Sequence, residues 1–236
     1  VSGRHPGSSD YDLDVLPTPT SSDIRFGLLG PFEATVDGDP LRIPGSAERA
    51  LLAVLLLARG RIVPASALID RLWADSSLPA DPLNALQLRV SKLRRVFKNA
   101  GLELVHRDSG GYRAAVDPAT IDAEAFERQI RQVRASVAGA GTPSEADLGT
   151  YDAALGLWRG DALADFATES WAVPESVRLE DLRRTAYAER AQIALSLGRH
   201  AEVVTDLEPL LRADPTHEAM AGLLMVALYR AGRQAD

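Results

Sequence analysis

Asp81-Pro82-Leu83-Asn84-Ala85-Leu86-Gln87-Leu88-Arg89-Val90-Ser91-Lys92-Leu93-Arg94-Arg95-Val96-Phe97-Lys98-Asn99 is the stretch on which the reading of this chain turns. Aspartate followed by proline is a helix start. The carboxylate caps free amides, and proline suits the first helical position, where its missing N–H costs nothing. Gly101 marks the stop. At helical spacing Leu83, Leu86, Val90, Leu93 and Phe97 form one apolar stripe. The opposite face carries Asn84, Leu88, Ser91, Lys92 and Arg95, with Gln87 and Lys98 at its shoulder. No acidic residue stands between Pro82 and Leu102, whereas Arg89, Lys92, Arg94, Arg95 and Lys98 do, among them both lysines of the chain.

A helix of this kind fits the major groove of B-form DNA. There Asn84 and Gln87 can pair with adenine, Arg95 with guanine, and Leu88 can meet a thymine methyl. Lys92, Arg94 and Lys98 suit phosphates, and Ser91 is small enough to allow close approach. A solvated basic face would normally intersperse acids with its cations; here they are missing.

The flanking sequence supports a winged helix-turn-helix. Ile24–Leu29 and Phe32–Val36 read as strands, with Asp37-Gly38 as a hairpin turn into Leu41-Arg42-Ile43. Ser46 is placed to cap a helix over 47–58 that is apolar nearly all round, hence a core element. A second helix runs to Trp73, and a loop, 74–80, precedes the decisive third. After it, Leu104–Arg107, a turn through Gly110-Gly111, and Tyr112–Val116 make a hairpin. Its basic residues His106, Arg107 and Arg113 are placed as a wing needs, with Tyr112 packing beneath; Arg49 in the first helix is a further phosphate candidate.

Beyond Asp117-Pro118 the chain reads as all helix, with helices over 122–138, 145–158, 176–197, 200–213 and 217–231. Gly198-Arg199 and Gly232-Arg233 recur at a spacing of 34 residues, with Asp214-Pro215 between them, which is the tetratricopeptide period. The fold class expected is therefore α+β, a winged helix-turn-helix with a small antiparallel sheet, followed by an all-α tetratricopeptide-like domain. The boundaries are 1–23 for an acidic, Pro- and Ser-containing disordered tail, 24–117 for the winged helix and 118–236 for the helical domain.

Charge divides the same way. The 236 residues carry a net −7, but residues 24–116 carry +4 and residues 117–236 carry −8. The middle block can face a polyanion; the last cannot. With no cysteine and four histidines at no ligand-like spacing, a metal centre is not expected. Neither a phosphate-binding glycine loop nor a nucleophile motif is present, so no enzyme and no cofactor is expected, and Asp161, Asp165 and Glu169 read as a solvated acidic face. The longest apolar run, 51–58, is far short of the roughly 20 residues that cross a bilayer.

Several strings, in this order and spacing, resemble the SARP family (Streptomyces antibiotic regulatory proteins). They are Phe26-Gly27-Leu28-Leu29-Gly30-Pro31, Arg49-Ala50-Leu51-Leu52-Ala53, Leu68–Trp73, Leu86-Gln87 with Val90–Arg95, Gly111-Tyr112, Leu157-Trp158-Arg159-Gly160, Leu197–His200 and Ala227–Gln234. The resemblance spans residues 24–236 and implies an OmpR-type winged helix followed by a bacterial transcriptional activation domain. It further implies an activator in the cytoplasm, on the nucleoid, that binds double-stranded DNA at promoter direct repeats as a homodimer. Such an activator recruits RNA polymerase with its sigma factor, for a secondary-metabolite (antibiotic) cluster. By the same resemblance helix 81–98 enters the major groove, the 106–113 hairpin tracks the minor groove or backbone, and Asp75, Ser76, Ser77 and Leu78 contact polymerase. The competing reading is a helical-repeat adaptor whose winged domain binds protein.

Two departures from the family pattern carry expectations of their own. Ala47-Glu48 precede Arg49 where many members have Lys or Gln and then Gln, so Glu48 is expected to oppose phosphate. The residues end at Gln234-Ala235-Asp236, where the pattern would begin another helix, so an exposed apolar face is expected on helix 217–231.

Overall fold

The computed structural model describes residues 23–233. The tail read over 1–23 therefore lies, but for Asp23, outside the described residues, as does Gln234–Asp236.

Strands β1 (Ile24–Gly27), β2 (Glu33–Val36) and β3 (Asp39–Pro40) form an antiparallel meander in which Ile24 faces Val36 and Val36 faces Asp39. The turn falls at Asp37-Gly38, both with positive φ. The third strand comes earlier than Leu41–Ile43, because a two-residue turn pairs Asp39 and Pro40 at once; Leu41 keeps only an N–H bond to Ala34 O.

Helices α1 (Ser46–Leu57), α2 (Ala65–Leu72) and α3 (Pro82–Asn99) follow, with β4 (Val63–Pro64) between the first two. Ser46 does not cap α1: it is the first helical residue, and Gly45 at φ 83° takes the capping position without a side-chain bond. α1 is the core element expected, with Leu51, Leu52, Ala53 and Leu55 fully buried. Asp81 caps α3 as read, accepting the Asn84 N–H at 3.0 Å. Leu86, Val90, Leu93 and Phe97 are buried, but Leu83, in the first turn of α3, is 48% exposed.

Strands β5 (Val105–Asp108) and β6 (Gly111–Ala114) form the hairpin, and β4 joins it in the order β4-β6-β5. Gly111 is required there, since a Cβ would stand 2.3 Å from Val63 O of the neighbouring strand. Tyr112 is buried under the hairpin.

The second half is a run of antiparallel helices, each packed on the next: α4 (Asp122–Ala140), α5 (Glu145–Leu155), α6 (Val173–Ser196), α7 (His200–Ala213) and α8 (Glu218–Arg230). α5 ends three residues before Trp158, and α6 begins at Val173 because Pro174 sits in its first turn, where proline is tolerated. The repeat has an exact backbone counterpart. Arg199 N–H bonds Ala194 O and Arg233 N–H bonds Leu228 O, each at 2.9 Å, around left-handed Gly198 and Gly232. The apolar face expected on the last helix is present, with Met225 66% and Tyr229 69% exposed.

The Gly27–Pro31 string joins the halves. Arg159 N–H bonds Leu29 O at 2.7 Å, and Leu163 N–H bonds Leu28 O at 2.8 Å. The Asp122 carboxylate accepts from Leu28 N, Leu29 N and Arg159 at 2.7, 3.1 and 3.0 Å. Phe26 meets Phe97 edge to face at 6.4 Å, so the buried stripe of α3 leans on the strand that carries this junction.

Candidate nucleic-acid interface

α3 presents one face to the core and one to solvent. Asn84, Gln87, Leu88, Ser91, Lys92, Arg94, Arg95 and Lys98 are all exposed. The side chains of Asn84, Gln87, Ser91, Arg95 and Lys98 make no hydrogen bond or ion pair among the described residues, so their donors remain unspent. Leu88 stands among them 58% exposed, an apolar group on a polar face.

Three cations of the stretch are tied down. Lys92 Nζ lies 3.0 Å from Glu48 Oε1. Arg94 Nε donates to Val105 O at 2.8 Å, linking α3 to the first strand of the hairpin. Arg89 stacks 3.9 Å over the Trp73 ring, and burial lowers its pKa against the opposing pull of Glu48 and Glu169. None of these partners can be seen in the local spacing, because each is a tertiary contact. Glu48 itself is not at the surface: its side chain is buried and faces Lys92, so its charge bears on that face through the lysine.

On the hairpin, Arg107 is exposed and unpaired among the described residues. Arg113 is half-buried, 3.6 Å from Asp108, and His106 Nε2 lies 3.1 Å from Glu103 O. Arg49 is not on this face. It is half-buried and turned to the helical half, 3.7 Å from Asp165. The loop between α2 and α3 leaves Ser76, Ser77 and Leu78 exposed, while Asp75 accepts the Ser170 N–H at 2.8 Å. The solvated acidic face read at Asp161, Asp165 and Glu169 thus partly faces the winged half.

Two residues of the junction escaped the sequence reading: Asp122 and its partner Arg159. A carboxylate in the first turn of a helix was the available signal, but its targets lie more than 90 residues away. Among the described residues no cluster suits a metal ion, and no helix is long and apolar enough to cross a membrane.

Comparison with known proteins accounts for this arrangement. Residues 43–114 match the family described as transcriptional regulatory protein, C terminal, and residues 121–236 match the bacterial transcriptional activator domain. The regulatory protein DnrI of Streptomyces peucetius is 34% identical over 221 residues, covering 89% of this chain and 79% of that protein. The regulatory protein AfsR of Streptomyces coelicolor is 38% identical over 218 residues, which are 92% of this chain but only 21% of AfsR, so the chain spans about a fifth of that relative. The solved structure of Mycobacterium tuberculosis EmbR in complex with a low affinity phosphopeptide superposes with TM-score 0.83 at 30% identity, over 91% of this chain and 57% of that one. An OmpR-type winged helix followed by a bacterial transcriptional activator domain, in a chain so similar to these regulators, makes this protein a member of the SARP family of transcriptional regulators.

Proposed function

We propose that the chain is a sequence-specific DNA-binding activator of transcription, with winged-helix and activation domains at 24–117 and 118–236. The observation that carries this reading is the solvent face of α3, free of acids, on which Asn84, Gln87, Ser91, Arg95 and Lys98 keep their donors unspent. α3 enters the major groove. Asn84 and Gln87 read adenine, Arg95 reads guanine, and Leu88 meets a thymine methyl. Lys98, Arg107 and Arg113 hold phosphates, joined by the free N–H groups of Lys92 and Arg94. The hairpin follows the adjacent backbone or minor groove. Two copies occupy direct repeats beside a promoter. Ser76, Ser77 and Leu78, with Asp75 anchoring their loop, meet RNA polymerase and its sigma factor. The regulated genes are a secondary-metabolite cluster, as the SARP kinship implies, and the protein works on the nucleoid.

Protection mapping of the full chain on promoters near its own gene tests this. Protected direct repeats are expected, with affinity falling by about 0.9 log units per log unit of salt for each phosphate neutralised. Absence of DNA affinity at low salt would leave the adaptor reading in its place.

A further inference from the structure

A half-open cavity of about 700 Å³ lies between the two halves, on the side lined by α1, β4 and α2. Val54, Leu57 and Ala67 line it from the winged half, and Trp171 and Pro174 from the helical half. Both its size and its position at a junction of two halves suit a small ligand.

The polar groups there are mostly donors. Arg61 and Arg71 line the cavity. Arg71 makes no hydrogen bond or ion pair among the described residues, and Arg61 spends only Nε, on Ala58 O at 3.0 Å. Glu175 is the one acid in the lining, and both its oxygens already accept from Arg178, at 3.0 and 2.6 Å. An apolar wall with unspent cationic donors and no free carboxylate calls for an apolar body bearing a negative head.

We propose that this cavity binds a small amphipathic anion, an aromatic or aliphatic carboxylate or its sulfonate analogue. The apolar body rests on Val54, Leu57 and Ala67, and the head meets the arginines. Since the walls come from both halves, an occupant favours the arrangement of the halves that forms the cavity.

The test uses the full chain with anilinonaphthalene sulfonate as fluorescent probe, decanoate as competitor, and phenylnaphthylamine as the counterpart lacking the charge. Saturable one-site binding, displaced by decanoate and at least about tenfold weaker for phenylnaphthylamine, is expected. Arg71→Glu, an exposed change that leaves the fold intact, should weaken the sulfonate about tenfold, and Ala67→Leu should weaken both probes by filling the space. The proposal is overturned if no probe binds, if both variants bind as the parent does, or if displacement needs an acidic peptide and decanoate has no effect. Loss of the signal in Tyr229→Glu instead would place the probe on the exposed face of α8 and equally end the proposal.

Discussion

Lys92 on the solvent face of α3 and Glu48 at the start of α1 form an ion pair of 3.0 Å in which the lysine is exposed and the carboxylate buried. The two residues are 44 positions apart, and the pair places one negative charge directly behind a face that otherwise has none. Lysine has three donors, so Lys92 can hold Glu48 and a phosphate together, at reduced net charge.

Glu48→Gln should therefore tighten DNA binding at low salt and steepen the salt dependence by up to about 0.9 log units. Lys92→Ala should do the opposite and also destabilise the fold, by about 1–3 kcal/mol, through the unpaired buried carboxylate, with solvent at the lysine end favouring the lower figure. Salt titrations of affinity and denaturant melts separate the two effects; identical salt slopes for Glu48→Gln and the parent would remove the pair from the interface.

Arg95 and Lys98 should fail differently. Arg95→Ala is expected to cost about 1–3 kcal/mol on the specific site and less on random DNA, because a base edge loses its partner. Lys98→Ala should weaken both kinds of DNA alike and lower the salt slope by about one unit. Competition binding against random duplex distinguishes them, and equal losses on both DNAs for Arg95→Ala would mean it reads no base.

Arg94 holds the hairpin to α3 through Val105 O. Its replacement by alanine should cost only about 1 kcal/mol of stability. Amide exchange should nevertheless quicken over β5 and β6, and DNA affinity should fall more than the loss of one phosphate contact explains. Unchanged exchange in Val105–Asp108 would show that the bond does not position the wing.

At Asp122, burial raises the carboxyl pKa against the amides of Leu28 and Leu29 and the Arg159 guanidinium, which pull it down. The folded chain thus takes up this proton before the unfolded chain does as pH falls. Ionisation of the group weighs against folding above the folded value, and that cost is shed as pH drops through the window. The parent should accordingly gain stability relative to Asp122→Asn as pH moves from neutral towards acid, and parallel pH profiles would contradict this. Asp122→Ala, which orphans the amides of the fully buried Leu28 and Leu29, should cost about 1–3 kcal/mol for each.

Much of the fold was open to reading because its signals are local. Asp81-Pro82 start α3 and Gly101 ends it, and both act within one helical turn. Gly198 and Gly232 close two helices by the same pair of bonds, so their spacing alone disclosed the repeat. Where a local signal had a competitor it misled: Ser46 is a better capping residue than Gly45, yet only glycine takes φ 83° there readily, so the helix begins one residue earlier than the serine implied. Leu83 completes the stripe by periodicity, but periodicity does not report how far tertiary packing reaches along a helix, and Leu83 stays 48% exposed.

What the sequence by itself determined is the helices, the two hairpins, their order, and the acid-free polar face of α3, since capping, turn chemistry and hydrophobic period act over a few residues; the short β4 exists only through its pairing with β6. Only the tertiary structure decided which charges on that face are free. Packing brought Glu48 to Lys92 and Asp165 to Arg49 across 44 and 116 positions. The pairing of charges depends on distance in space, and a folded chain sets that distance through contacts that no local pattern records.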